Sequence, residues 1–163
     1  MAEFQFRPFD DKTDLELVLG WLLDTKQAAG MPVDAELERK SYFEFVRSIQ
    51  SRNTSYSSIL LCSGKPVGYL CTFPMEKHPG SSWLDFCYLI PEARGTEASG
   101  EFVRRIVETA LENGCRDVYL NVHRNNVRGI GFYEKNGWEL DEKKPDGLNR
   151  MKKTLASAKL SPR

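Results

Sequence analysis

The sequence predicts an α/β domain in which a mixed sheet carries helices on both faces. Three observations predict it. Two strand-like runs, WLDFCYLI (Trp83–Ile90) and RDVYLNV (Arg116–Val122), enclose a segment of clean helical period. Short strands joined by turn residues flank that unit on both sides. No segment repeats or falls to low complexity.

FQFRP alternates apolar and polar residues before the proline and reads as a first strand. From Asp14 the spacing changes: Leu15, Val18 and Leu22, with Leu17 and Trp21 beside them, recur at helical intervals until AGMP breaks the run. A second amphipathic helix places Leu37, Phe45, Val46 and Ile49 among charged residues. SRNTS is a polar break. SYSSILLC and VGYLCTF, joined by SGKP, read as a hairpin, and MEKHPGSS is a loop before the mostly apolar, central WLDFCYLI. Phe102, Val103, Ile106, Val107, Ala110 and Leu111 then give a helix stopped by Asn113-Gly114. RDVYLNV is a strand, NVRGIGFYEKNG a short helix closed by Gly137, and WELDE and NRMKKTL are two last strands around KPDG. The predicted order is β-α-α-β-β-β-α-β-α-β-β.

The chain has 163 residues and is 40% hydrophobic, which suits one domain with one core. We assign it to residues 1–156, with 157–163 as a frayed tail. Lys+Arg and Asp+Glu number 23 each. That balance argues against a nucleic-acid partner and supplies no polybasic segment for an anionic membrane. Cys62, Cys71, Cys87 and Cys115 show no metal-ligand or disulfide-framework spacing. Cysteine in apolar strand runs behaves as a small buried hydrophobe, so no metal site is expected. The start, MAEFQFRPFDD, is acidic, and no apolar run approaches membrane-spanning length, so a cytoplasmic protein without a signal peptide is expected.

The stretch PEARGTEASGEF (Pro91–Phe102) joins the central strand to the following helix. The first N–H groups of that helix lack internal partners and carry the positive end of the helix dipole. Gly95, Ala98, Ser99 and Gly100 would let an anion approach, and Arg94 adds a cation. The same residues also fit an ordinary capped start, with Thr96 as N-cap and Glu97 favoured by the dipole. The loop alone fits both readings.

The run NVHRNNVRGIGFYEKNGWEL (Asn121–Leu140) separates them. It resembles the GCN5-related N-acetyltransferase superfamily, whose last major helix commonly reads N-x-R-A-x-x-(L/F)-Y-x-x-x-G-F. Here Asn126, Arg128, Gly129 in place of the alanine, Phe132, Tyr133, Gly137 and Trp138 in place of the final phenylalanine follow that pattern. YLIPEARG is similar to the family's V-x-P-E-x-R-G, and NRMKKTL to its last strand. The resemblance covers nearly the whole chain.

It implies a sheet whose two central parallel strands splay apart to form a cleft for acetyl-coenzyme A as co-substrate. The Leu89 backbone would bind the acetyl carbonyl and steady the developing oxyanion. Arg94, Gly95, Thr96, Glu97, Ala98, Ser99 and Gly100 would take the pyrophosphate. Asn126 would cap its helix and touch the cofactor. Tyr133 would bind the cofactor and protonate the leaving thiolate; a packed aromatic is the plainer reading of a helical tyrosine. Asp85, on the same strand face as Trp83 and Cys87, is the candidate base for an acceptor ammonium, against a surface-facing carboxylate. His123 and His78 are weaker candidates.

The family's phosphate loop commonly reads Q/R-x-x-G-x-G/A, and here Glu97 and Ser99 replace two of its small residues. A carboxylate about 4 Å from a phosphate charge costs about 1 kcal/mol in water and about 4 at a surface-like dielectric. Weakened cofactor binding is therefore expected. The predicted function is acetyl transfer to a primary amine, on a small molecule or a protein, by direct attack in a ternary complex. The alternative is a non-catalytic relative that senses acyl-coenzyme A or binds a protein. A generic nucleotide-binding module ranks last, because no GxxxxGK[ST] or GxGxxG is present. Dimerisation is common in the family, so a homodimer is compatible with this reading.

Overall fold

The predicted elements form in the predicted order: β1 (Phe4–Pro8), α1 (Leu15–Ala28), α2 (Ala35–Gln50), β2 (Tyr56–Cys62), β3 (Lys65–Pro74), β4 (Ser81–Leu89), α3 (Glu97–Glu112), β5 (Asp117–His123), α4 (Val127–Lys135), β6 (Glu139–Lys143) and β7 (Leu148–Thr154). The computed structural model describes residues 1–52 and 55–156, so the predicted tail, and part of the SRNTS break, lie outside the described residues. A single 3-10 turn, Pro91–Ala93, follows β4. The strands make one mostly antiparallel sheet of order β1-β2-β3-β4-β5-β7-β6. Among the described residues, no helix is long and apolar enough to cross a membrane.

The chain divides into two compact units, one of residues 1–71 and 86–102, the other of residues 72–85 and from 103 onward. In the first, β1 runs antiparallel to β2 from Phe4↔Cys62 to Pro8↔Ser58. Its core gathers Phe9, Val18, Leu19, Trp21, Tyr42, Val46, Ile49, Ile59, Leu60, Tyr69 and Leu70. Buried hydroxyls are satisfied within it: Tyr42 donates to the Tyr69 oxygen at 2.8 Å, and Ser57 bonds the same oxygen at 2.8 Å.

Carboxylates stand before both of the first two helices, but only one of them is a cap. Asp34 caps α2, its side chain accepting from the Glu36 and Leu37 amides. Asp14 stands in the same place before α1 but makes no cap bond. Its oxygens are taken by both terminal nitrogens of Arg7, at 2.6 and 2.8 Å, and by the Asp10 amide. That pairing holds the Asp14 carboxyl below its usual range, the Arg7 hydrogen bond outweighing burial. The apolar stripe of α1 is also shifted: Val18, Leu19 and Trp21 are buried, whereas Leu17 is exposed. Leu37 on α2 is exposed too.

In the second unit β4 pairs in parallel with β5, and β5 runs antiparallel to β7 from Asp117↔Thr154 to His123↔Leu148. Val118, Leu120 and Val122 alternate inward along β5, where they join Leu84, Ile106, Ala110, Trp138 and Met151 in the core. Cys71 and Cys115 are buried, Cys62 and Cys87 half-buried, and all four are free thiols.

Candidate functional site

The parallel ladder between β4 and β5 is short. It runs from Ser81↔Asp117 to Leu84↔Leu120, although β4 continues to Leu89 and β5 to His123. The backbone explains why. The Met75 amide donates to Ser81 at 2.8 Å, and the Ile90 amide donates to Val67 at 2.9 Å. Between those bonds β3 takes eight steps, from Val67 to Met75, and β4 nine, from Ser81 to Ile90, so β4 carries one residue too many, a β-bulge. A bulge bends its strand and ends regular pairing beside it. Because Ile90 directs its N–H to β3, the alternation of an extended strand turns the Leu89 N–H away from β3.

Side chains fix this strand end. Near the end of β4, Tyr88 stacks on Trp21 of α1 with ring centroids 5.3 Å apart. Its hydroxyl donates to Asp24 at 2.6 Å, and burial, then Asp24, pushes its pKa up to about 12. The Arg94 guanidinium lies 5.3 Å over the Tyr88 ring, and its Nε donates to the Leu89 carbonyl at 2.9 Å. Leu89 and Arg94 are thus joined directly, and Arg94 commits one of its donors to the strand rather than to the loop it was assigned.

The loop turns through Gly95, whose φ of +70° is left-handed. Thr96 is the cap of α3: its hydroxyl donates to the Ala93 carbonyl at 2.6 Å and accepts from the Ala98 amide at 3.2 Å. Ser99 donates its amide to the Thr96 carbonyl at 3.1 Å. Ala98 is buried, Ser99 half-buried, and Glu97 and Gly100 are exposed. A cavity of about 510 Å³ borders Thr96, Glu97 and Ala98 together with Ala2, Phe4 and Cys62. Its lining offers the carboxylates Glu92 and Glu97 and no cation, which is the wrong chemistry for a diphosphate.

In the second unit Asn126 caps α4, its side-chain oxygen accepting from the Gly129 amide at 2.9 Å. Gly129 stands where the family pattern has alanine, and a Cβ there would lie 2.7 Å from the Asn126 Nδ2. Tyr133 is half-buried between Phe132 and Trp138, ring centroids 5.4 and 5.7 Å away in edge-on contact. His123 accepts the Asn125 amide at its Nδ1. His78 sits in the loop before β4, its amide donating to the Met75 carbonyl.

Asp85 is reached by solvent, yet protein surrounds it closely enough that desolvation lifts its pKa to about 6, against a hydrogen bond from the Trp83 side chain that lowers it. A carboxylate in a recess is ionised at neutral pH and is a better base than an ordinary aspartate. Burial pushes the neighbouring Cys87 thiol to about 12, too high for a nucleophile at neutral pH.

The Asp85 shift has a sign that thermal melts can read. A raised pKa means the folded chain holds the proton more tightly than the unfolded chain, whose value is near 3.8. Stability from protonated Asp85 is complete below pH 3.8 and lost as pH rises through about 6. The Asp85→Asn variant is therefore expected to melt above the wild type at pH 8 and level with it at pH 3.5. Solvent contact holds the difference to about 1 kcal/mol, or ~2–4 °C. Equal melting at pH 8 would mean that Asp85 ionises without cost.

The sequence comparison decides the family. The profile described as the acetyltransferase (GNAT) family matches residues 16–138. The chain belongs to this family. Among curated relatives, an uncharacterised N-acetyltransferase of Mycobacterium bovis is 33% identical over 58 residues. That match spans 36% of this chain and 37% of the relative's length. Among solved structures, a PaiA N-acetyltransferase of Thermoplasma acidophilum in complex with coenzyme A superposes with a TM-score of 0.74. It is 19% identical, over 93% of this chain and 99% of that one. The aminoglycoside acetyltransferase AAC(6')-Ib, also in complex with coenzyme A, gives a TM-score of 0.68 at 20% identity, over 93% and 95% of the two chains. At such identities the two structures speak for the GNAT fold, which this chain shares.

One position of this GNAT chain drew no attention in the sequence. The Asn121 Oδ1 is buried and has no hydrogen-bond partner among the described residues. An unmade bond of this kind costs ~1–3 kcal/mol. A single asparagine in a strand gives no warning of it, because the deficit lies in what its neighbours fail to offer.

Proposed function

We propose that the chain is an acetyl-coenzyme A-dependent N-acetyltransferase acting on a primary amine. The observation that carries the reading is the early end of the β4–β5 ladder at Leu84 and Leu120, with the Leu89 donor turned away from β3. Unpaired strand donors of this kind suit an extended, amide-bearing ligand. In this reading the Leu89 N–H polarises the thioester carbonyl, and the stretch Arg94–Gly100 holds the pyrophosphate at the start of α3.

An acceptor ammonium first loses one proton to Asp85, directly or through water. The free amine then attacks the carbonyl carbon, forming the C–N bond. The tetrahedral intermediate collapses with cleavage of the C–S bond, and the nitrogen sheds its second proton to solvent. The coenzyme A thiolate takes the Tyr133 phenolic proton, and the phenolate is reprotonated from solvent. Asp85 then releases its proton to solvent, so the products are an N-acetylated amine, coenzyme A thiol and one proton.

Titration calorimetry with acetyl-coenzyme A tests the first step. Binding is expected in the range of roughly 1 μM to 1 mM, and Glu97→Gly is expected to tighten it by about threefold to tenfold, as loss of ~1 kcal/mol of repulsion implies. No heat of binding at millimolar ligand would sink the reading. Binding without thiol release on any amine would favour the non-catalytic sensing alternative, for which Glu97 is the supporting feature.

A further inference from the structure

We propose that Asn121 is a specificity-determining residue for the acceptor: its side-chain carbonyl and the Asp85 carboxylate together read the N–H groups of a primary ammonium whose aromatic or apolar stem lies along Trp83. The inference rests on the N-acetyltransferase reading and adds the acceptor's chemical class to it.

The placement follows from the register. Leu84 and Leu120 are the last partners of the parallel ladder and are 2% and 1% exposed. Their successors, Asp85 and Asn121, therefore belong to the opposite sheet face, which they share with the preceding partners Trp83 and Tyr119. The hydrogen bond between the Trp83 and Asp85 side chains agrees with that assignment.

The chemistry follows from which polar groups on this face are already committed. Arg150, the β7 register partner of Asn121, gives its Nε to Asp141 at 2.7 Å and its Nη2 to Glu142 at 3.1 Å. Lys152 lies 3.8 Å from Asp117 and 5.5 Å from the Tyr119 ring. The cations of the face are thus paired with carboxylates. What stands without a partner is an acceptor, the buried Asn121 Oδ1. Beside it Asp85 accepts one bond from Trp83 and keeps capacity for more. Two neighbouring acceptors, one of them without a partner, suit a ligand rich in N–H, and an ammonium has three. A carboxylate or phosphate would meet repulsion there. Trp83 lies beside Tyr119 on the ladder and offers flat apolar area to the stem, while the Tyr119 ring already carries the Arg150 and Lys152 cations at 5.8 and 5.5 Å from its centroid.

The probes are 2-phenylethylamine and hexylamine, with N,N-dimethyl-2-phenylethylamine as a cation poor in N–H, each assayed by thiol release with acetyl-coenzyme A on the full chain. Wild-type protein is expected to acetylate both primary amines. Asn121→Leu is expected to raise KM for 2-phenylethylamine about tenfold or more while acetyl-coenzyme A affinity stays within about twofold. Asn121→Asp, which keeps an acceptor in place, is expected to hold KM near wild type, and the dimethyl compound should inhibit weakly. Retained acetyl-coenzyme A binding shows that each variant is folded. A KM unchanged in Asn121→Leu overturns the proposal, as does wild-type protein that binds acetyl-coenzyme A but acetylates neither primary amine. Loss of activity in Asn121→Asp with retention in Asn121→Ser would make the residue a donor and overturns it equally. Failure of the wild type to bind acetyl-coenzyme A would instead refute the N-acetyltransferase reading itself.

Discussion

Replacing Tyr133 by phenylalanine is expected to lower kcat by about 10²-fold while leaving the affinity for acetyl-coenzyme A within about threefold. General acids contribute roughly 10² to 10⁴ in rate. The lower end applies because a thiolate, with a thiol pKa near ~8.5, departs without full protonation. Phenylalanine keeps the ring that makes edge-on contacts with Phe132 and Trp138. The measurement is steady-state kinetics on the best amine together with calorimetry. A kcat within about twofold of wild type would remove Tyr133 from the chemistry and leave it as a packing residue. A loss confined to KM for acetyl-coenzyme A would assign it to binding instead.

Gly68→Ala is expected to be the most damaging small substitution in the chain's first unit. A Cβ at that position would stand 2.6 Å from the Phe102 Cζ, 2.7 Å from the Tyr88 carbonyl oxygen and 2.8 Å from the Leu89 Cδ2. Phe102 is fully buried, and the Tyr88 oxygen belongs to backbone, so neither can yield without moving β4 or α3. Overpacking of this kind costs about 2–3 kcal/mol, or roughly 5–10 °C in melting temperature. Gly131→Ala is the control: nothing lies within 4 Å of its Cβ, and it sits inside α4, where alanine gains about 0.5–1 kcal/mol. Similar melting temperatures for the two variants would show that β3 and α3 separate more easily than their packing suggests.

Much of this was legible because it is local. The order of strands and helices follows from spacing within a few residues, and so does the Asn126 cap three residues before Gly129. Thr96 could be assigned as a cap for the same reason. What escaped depends on partners outside the element being read. Asp14 looks like a cap, but Arg7 on β1 takes its oxygens. Tyr88 finds Asp24 across a separation of 64 residues. Leu17 and Leu37 fit apolar stripes by period, yet the neighbouring surface does not cover them. The β4 bulge is least visible of all, because it is a mismatch in step count between two strands, and neither strand alone contains it. For the proposed site, residue types pointed to Asp85 and Tyr133, whereas Asn121 emerged only once its surroundings could be inspected for missing donors.

The extra residue in β4 also fixes what kind of change the strand tolerates. At the end of the strand, Tyr88 faces Trp21 while Leu89 joins Phe102 beside Gly68. Deleting one residue between Ser81 and Tyr88 would reverse the phase of the residues after it relative to those before it, presenting a leucine to the aromatic side and a phenol to the aliphatic one. Substitutions along this strand alter a contact, but a frame-preserving loss of a single codon exchanges its two sides. The length of β4 is therefore under tighter constraint than the identity of most residues in it.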